Sequence, residues 1–194
     1  MKKTIFVLIF IATFCSSLFG QGVNGNRFHF EIEPLQFINN GWSVVGHYAI
    51  NNRLQIGTNA FAQVLPESSH DFAFNISTEG DLLIEQDFGM NVSIRYFLQE
   101  REFQEGWVLS LPLGWETWTI TDQQSNTAEK YAFWYLSPRI GYLWYPFQKK
   151  QVYLLGEAVG IIPIRRDNNV EFADTEISIK SIVPLPSLGI GMAF

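Results

Sequence analysis

The stretch Ser187-Leu188-Gly189-Ile190-Gly191-Met192-Ala193-Phe194 alternates without exception. Every even position is large and apolar, and every odd position is small. Period 2 is the signature of a strand, because successive side chains leave opposite faces. One face of this strand suits lipid and the other a crowded interior.

The same period runs through the chain. Eight strands are expected at about 27–38, 42–50, 53–64, 84–98, 106–120, 131–146, 151–165 and 177–194. In the fourth, Phe88, Met90, Val92, Ile94, Tyr96 and Leu98 oppose Gly89, Asn91, Ser93 and Arg95. In the fifth, Trp107, Leu109, Leu111, Leu113 and Trp115 oppose Ser110, Gly114 and Glu116. In the sixth, Trp134, Leu136, Ile140, Tyr142 and Trp144 oppose Ser137, Arg139 and Gly141. Helical periodicity is absent.

The connections alternate in length. Short turns fall at 51–52, 99–105 and 147–150, and longer polar loops at 65–83, 121–130 and 166–176. Barrels of the outer membrane keep short turns on the periplasmic side and long loops outside. Aromatics gather near strand ends: Tyr96 and Phe97, then Trp144, Tyr145 and Phe147, with Trp115, Trp118 and Trp134 toward the other rim. Tyr and Trp sit well at a membrane–water interface. A soluble sandwich is the competing reading. It offers no reason for the loops to alternate.

Composition agrees. Aromatics make up 15% of the 194 residues and charged residues only 16%. An apolar run from Ile5 to Phe14 follows Lys2 and Lys3 and is too short to span as a helix. Residues 1–20 therefore read as a cleavable signal peptide, leaving 21–194 as one barrel domain. Cleavage removes two lysines and no acids, so the net charge of −6 becomes −8. It also removes the only cysteine, Cys15, as befits an oxidising compartment. Phe14 stands where a lipobox needs a small residue. The acidic balance disfavours nucleic acid.

The fold class read from these patterns is all-β: an eight-stranded antiparallel up-and-down transmembrane barrel. On this alternation, the Lys-Lys signal and the terminal Phe194, the chain resembles the small outer-membrane barrels of the OmpA/OmpX/OmpW kind, including those of Bacteroidota. The resemblance implies an outer-membrane location in a Gram-negative bacterium. It implies contact with outer-membrane lipid and lipopolysaccharide, and delivery by periplasmic chaperones to the barrel assembly machinery. It casts Phe194 as an assembly signal and the protein as a monomer.

Chemistry is sparse. Ser43 and His47 share a strand face, but four residues of strand separate them by roughly 13 Å. Ser68, Ser69, His70 and Asp71 read as polar loop composition. The closely spaced His-x-Ser pair of the lipid A deacylase and the leading helix of the palmitoyltransferase are not found. No enzyme, cofactor or resident metal is expected, although acidic loops could bridge Mg²⁺ or Ca²⁺ to lipopolysaccharide phosphates. The facing of His47 depends on whether the turn at Asn51-Asn52 holds two or three residues.

The interior should carry Glu31, Glu33, Arg95, Glu116, Arg139 and Glu157, with His29. An eight-stranded barrel has room for little more than its own side chains, so these charges must pair as a structural plug. A hairpin centred on Gln148 would set Arg139 directly across from Glu157, with Glu116 completing a trio. The function expected is a non-enzymatic barrel with a side-chain-filled lumen, acting in envelope integrity or surface contact through acidic extracellular loops. Two alternatives are a carrier or narrow channel for small hydrophobic molecules, and a lipid A-modifying enzyme.

Overall fold

A computed structural model describes residues 27–67, 70, 74–76, 82–99, 105–147, 151–166, 170–172, 175–180 and 182–194. The proposed signal peptide lies outside them. Most of the acidic loop side chains at 68–81 and 165–179 do too.

The described chain is an antiparallel ring. In chain order it has β1 (Phe28–Ile32), α1 (Pro34–Ile38), β2 (Trp42–Ala49), β3 (Leu54–Leu65), β4 (Phe74–Ile76), β5 (Leu82–Phe97) and β6 (Gly106–Asp122). There follow β7 (Thr127–Leu136), β8 (Arg139–Trp144), β9 (Val152–Arg166), β10 (Val170–Phe172), β11 (Thr175–Ile179) and β12 (Val183–Ala193). β7 and β8 both lie between β6 and β9, interrupted at Ser137-Pro138, and so form one stave of the wall. β12 pairs with both β9 and β1, which closes eight staves. β4, β10 and β11 form a small separate sheet.

The outside carries the apolar belt. On β6 it runs from Trp107 through Leu109, Leu111 and Leu113 to Trp115, nine residues, and then turns to Thr117, Thr119 and Thr121. About 9–11 residues of tilted strand cross a bilayer. On β5 the belt runs from Tyr96 up to Phe88, where a bulge changes the register. At the bulge itself, the exposed Asp87 accepts a 2.7 Å hydrogen bond from Thr119 Oγ1. Val92, at mid-belt, is 59% exposed. Such an outer face is stable only against lipid. Aromatic pairs border the lower rim: Phe28 with Tyr48, centroids 5.1 Å apart, and Trp107 with Tyr142, 5.5 Å apart.

"Lower" denotes here the end with the short turns and Phe194. There Phe194 N–H donates to Phe28 O at 2.8 Å.

Three sequence expectations are corrected, and one open question is settled. The first strand stops at Ile32, not 38, because Pro34 lacks the N–H a ladder needs and opens a five-residue helix. The last strand begins at Val183, and Thr175–Ile179 belongs to the separate sheet. Trp118, Phe97 and Tyr145 face inward and are buried, so they are no part of a rim. The turn after β2 holds three residues, since Ile50 N–H donates to Leu54 O at 2.8 Å. His47 is therefore inward and opposite Gly57.

Early termination of β1 has a consequence for the wall. β12 pairs with β1 only from Ile190 to Ala193. Above that, α1 stands between β12 and β2 in place of a strand. Ala193 N–H points to β9, toward Gln151 O, while Phe194 N–H points to β1. By the alternation of a ladder, the nitrogens of Pro184 and Pro186 face the unpaired side. Proline has no N–H there to leave unsatisfied in lipid.

Candidate lumen site

The inward face of β12 reads Ala193, Gly191, Gly189, Ser187, Leu185, Val183 from bottom to top. It divides the lumen into two halves.

In the lower half the small residues make room for large neighbours. A Cβ on Gly191 would lie 2.2 Å from Tyr153 Cζ, so only glycine admits that ring. Tyr153 OH donates to Glu31 Oε1 at 2.9 Å. Across the lumen, Arg95 forks onto Glu31: Nη1 bonds Oε1, and Nη2 donates to Oε2 at 3.3 Å. Gln55 Oε1 lies 3.5 Å from the same guanidinium. Both charges are nearly fully buried, at 2% and 3% exposure. A fork onto one carboxylate suits the planar donors of Arg.

One residue pair higher sits a second cluster. Arg139 Nη1 donates to Glu157 Oε2 at 3.3 Å and lies 3.8 Å from Glu33 Oε1. Ser110 Oγ donates to Glu157 Oε1 at 3.3 Å. Ser43 of β2 donates to Glu33 Oε2 at 2.9 Å, and Ser187 of β12 to Glu33 Oε1 at 3.2 Å. Glu33 stands just past the end of β1. Its carboxylate thus ties together the two strands that β1 no longer bridges.

The expected register is corrected by two residues. Arg139 pairs with Val159, and Gly141 with Glu157. The hairpin is centred one residue later than expected, so both side chains keep the inward face and meet diagonally. The trio is corrected as well. Its third member is Glu33, because Glu116 lies higher and accepts a hydrogen bond from Gln86 Nε2 instead.

Ser93 and His47 form a pair that the sequence reading did not find. His47 Nε2 lies 3.1 Å from Ser93 Oγ, and His47 Nδ1 lies 3.7 Å from Glu31 Oε1. The order serine, histidine, carboxylate imitates a hydrolytic triad. The cavity among these residues is about 20 Å³, room for about one water. Arg95 already holds Glu31. No signal within one strand could have paired β2 with β5.

The upper half is different. A cavity of about 480 Å³ lies above Ser187, walled by Phe61, Leu65, Phe74, Val159, Ile161 and Leu185. The Phe74 ring stands edge-on to Trp118, centroids 5.5 Å apart. Glu116 and Gln86, each 3% exposed, lie at its base with Arg139. The expected side-chain-filled lumen is therefore realised in the lower half only.

No helix among the described residues is long and apolar enough to cross a membrane. No group of three or more His, Cys, Asp or Glu among them could hold a metal ion.

No family model matches the chain, and no curated protein matches it. Solved structures do. The N-terminal β-barrel domain of Pseudomonas aeruginosa OprF is 10% identical, covers 90% of this chain and 100% of its own, and superposes with a TM-score of 0.48. Neisserial surface protein A is 10% identical, with 86% and 93% covered and a TM-score of 0.49. Ail, the attachment invasion locus protein of Yersinia pestis, is 10% identical, with 87% and 94% covered and a TM-score of 0.41.

Proposed function

We propose that this chain is a non-enzymatic, non-conducting barrel of a Gram-negative outer membrane. In this reading it serves envelope integrity or surface contact through its long acidic loops. The carrying observation is the closed lower lumen, in which Arg95 and Glu31 neutralise one another within a ring whose outside is apolar. Buried charges of opposite sign that satisfy each other seal a path. Residues 1–20 support export, and exposed Glu67, Asp87 and Glu129 support an acidic surface above the belt. Lipid and lipopolysaccharide, chaperones and the assembly machinery are the partners proposed, with the protein acting as a monomer. Acidic loops reaching lipopolysaccharide phosphates through divalent cations remain part of that proposal.

The test is fractionation with planar-bilayer recording. The protein is expected in the outer membrane, with gel mobility that changes on boiling, and with no stable open-channel current. Large steady currents would overturn the reading. Phe194 is proposed as an assembly signal, its backbone already paired with Phe28. Phe194→Asp should lower outer-membrane yield, and an unchanged yield would remove that role.

A second reading, a carrier for small hydrophobic molecules, is favoured by one observation: the cavity of about 480 Å³ in the upper lumen.

A further inference from the structure

The upper cavity is built like a ligand site. Its volume of about 480 Å³ falls in the range of small-molecule pockets, and is roughly three times that of an engineered apolar cavity that binds benzene. Phe61, Leu65, Phe74, Val159, Ile161 and Leu185 offer an apolar wall. Gln36, Asn59, Gln63 and Ser137 line the cavity beside the polar base.

The base carries unmet acceptors and donors, and its balance of acids over cations selects the head group. Glu116 has Gln86 Nε2 as its hydrogen-bonding neighbour, and the Trp118 indole sits beside the carboxylate. Gln86 Oε1 is buried with no hydrogen-bond partner, and so are the donors Arg139 Nε and Trp118 Nε1. A buried acceptor left unpaired is costly and is usually satisfied by something. Three carboxyl groups, Glu116, Glu33 and Glu157, stand at or beside the base with one guanidinium, Arg139. A cationic head group that donates hydrogen bonds complements this base. A carboxylate head group would set a fourth acid beside one cation.

The cavity also opens through the wall. Its lining includes Leu185, which faces inward, and Leu188, which faces outward and is 43% exposed. Both faces of one strand can border one cavity only where no neighbouring strand continues the wall. That place is the seam between β12 and α1, above the Glu33 brace. Leu35 of α1 lines the same cavity and is also 43% exposed.

We propose that the upper lumen binds an amine-headed amphiphile, its head at Glu116 and Gln86 and its tail along the apolar wall, admitted from the membrane through the seam between α1 and β12. This builds on the barrel reading and gives the carrier alternative a ligand class.

The experiment uses the refolded protein in lipid nanodiscs and fluorine NMR of 10,10,10-trifluorodecylamine. A bound resonance is expected that saturates at one ligand per protein and is absent from protein-free nanodiscs. Trifluorodecanoate should bind at least tenfold more weakly, and Glu116→Gln should weaken the amine at least tenfold. Leu185→Trp should abolish the resonance by filling the cavity. Val159→Phe serves as a second blocking variant, and boiling-dependent gel mobility checks that each variant folds. No saturable resonance, or one indifferent to both blocking variants, would overturn the site. Equal affinity for amine and acid, or an unaffected Glu116→Gln, would overturn the head-group assignment.

Entry is read separately with a benzophenone amino acid. At Leu185 it should cross-link to lipid, as at outward Leu188, whereas at Tyr153 it should not. Cross-linking at 188 without any at 185 would overturn the seam as the route. A silent bilayer together with failed binding would defeat this inference while leaving the barrel reading intact.

Discussion

The two halves of the lumen share the same staves and differ in almost everything else. Below Ser187 the interior is nearly solid, with the Arg95–Glu31 pair packed beside Phe97, Val108, Leu143 and Leu155 and a void of about 20 Å³. Above it an apolar cluster of Phe61, Phe74, Ile84 and Trp118 shares the interior with Gln86 and Glu116 around a void of about 480 Å³. The same strand, β12, turns glycines to the lower half and Leu185 and Val183 to the upper. The difference teaches that strand number alone does not decide whether a small barrel is filled. What decides is whether small residues on one stave leave room for a long side chain from another. Glycine at 191 admits Tyr153, and Tyr153 reaches Glu31. Higher up, the seam left by β1 and the apolar inward residues give no such closure.

The sharpest way to break this comparison is to remove the cation of the lower half. Arg95→Leu leaves Glu31 buried without its counter-charge, and should cost about 3–5 kcal/mol in urea unfolding from lipid vesicles. Replacing Arg95, Glu31 and Gln55 together by apolar residues should cost less, because no charge is then stranded. A loss below about 1 kcal/mol for the single change would show that the lower half is wetter than its packing implies.

Arg139 stands on the border, with its side chain 15% exposed at the floor of the upper cavity. Arg139→Ala should cost about 1.5–3 kcal/mol, less than the loss of Arg95, since water can reach the acids it leaves behind. An equal or larger loss in the same unfolding experiment would place the seal at the second cluster instead.

The smallest effects sharpen the contrast in packing. Gly191→Ala drives a methyl group into the Tyr153 ring and should cost about 1–3 kcal/mol. Val159→Leu adds a methylene beside the upper cavity and should change stability by no more than about 0.5 kcal/mol. Equal costs for the two would mean that the upper cavity is not open space.

Much of this was legible in the sequence. Residues 88–98 and 107–115 give the facing of every side chain on β5 and β6 below the bulge. The bulge itself was not, because Glu85, Gln86 and Asp87 are polar in a row and nothing in their pattern marks which is the extra residue. Pro34 did signal the end of β1, yet the apolar Leu35, Phe37 and Ile38 beyond it imitate further strand. The pairing of Arg139 with Glu157 was read two residues out of register, and Glu116 was placed in the wrong cluster. The joining of Ser93 to His47 was missed altogether.

These successes and failures have one cause. The sequence by itself determined which face each residue takes, because facing follows parity along a single strand and survives a register error of two. From facing came the apolar belt, the closed all-β ring and the inward set of charges. The tertiary structure alone decided which of those charges meet. That depends on the stagger between staves and on contacts across the lumen, such as Arg95 on β5 with Glu31 on β1. It also decided that the ring is incomplete above Glu33. A missing length of strand leaves no pattern in the residues that would have paired with it.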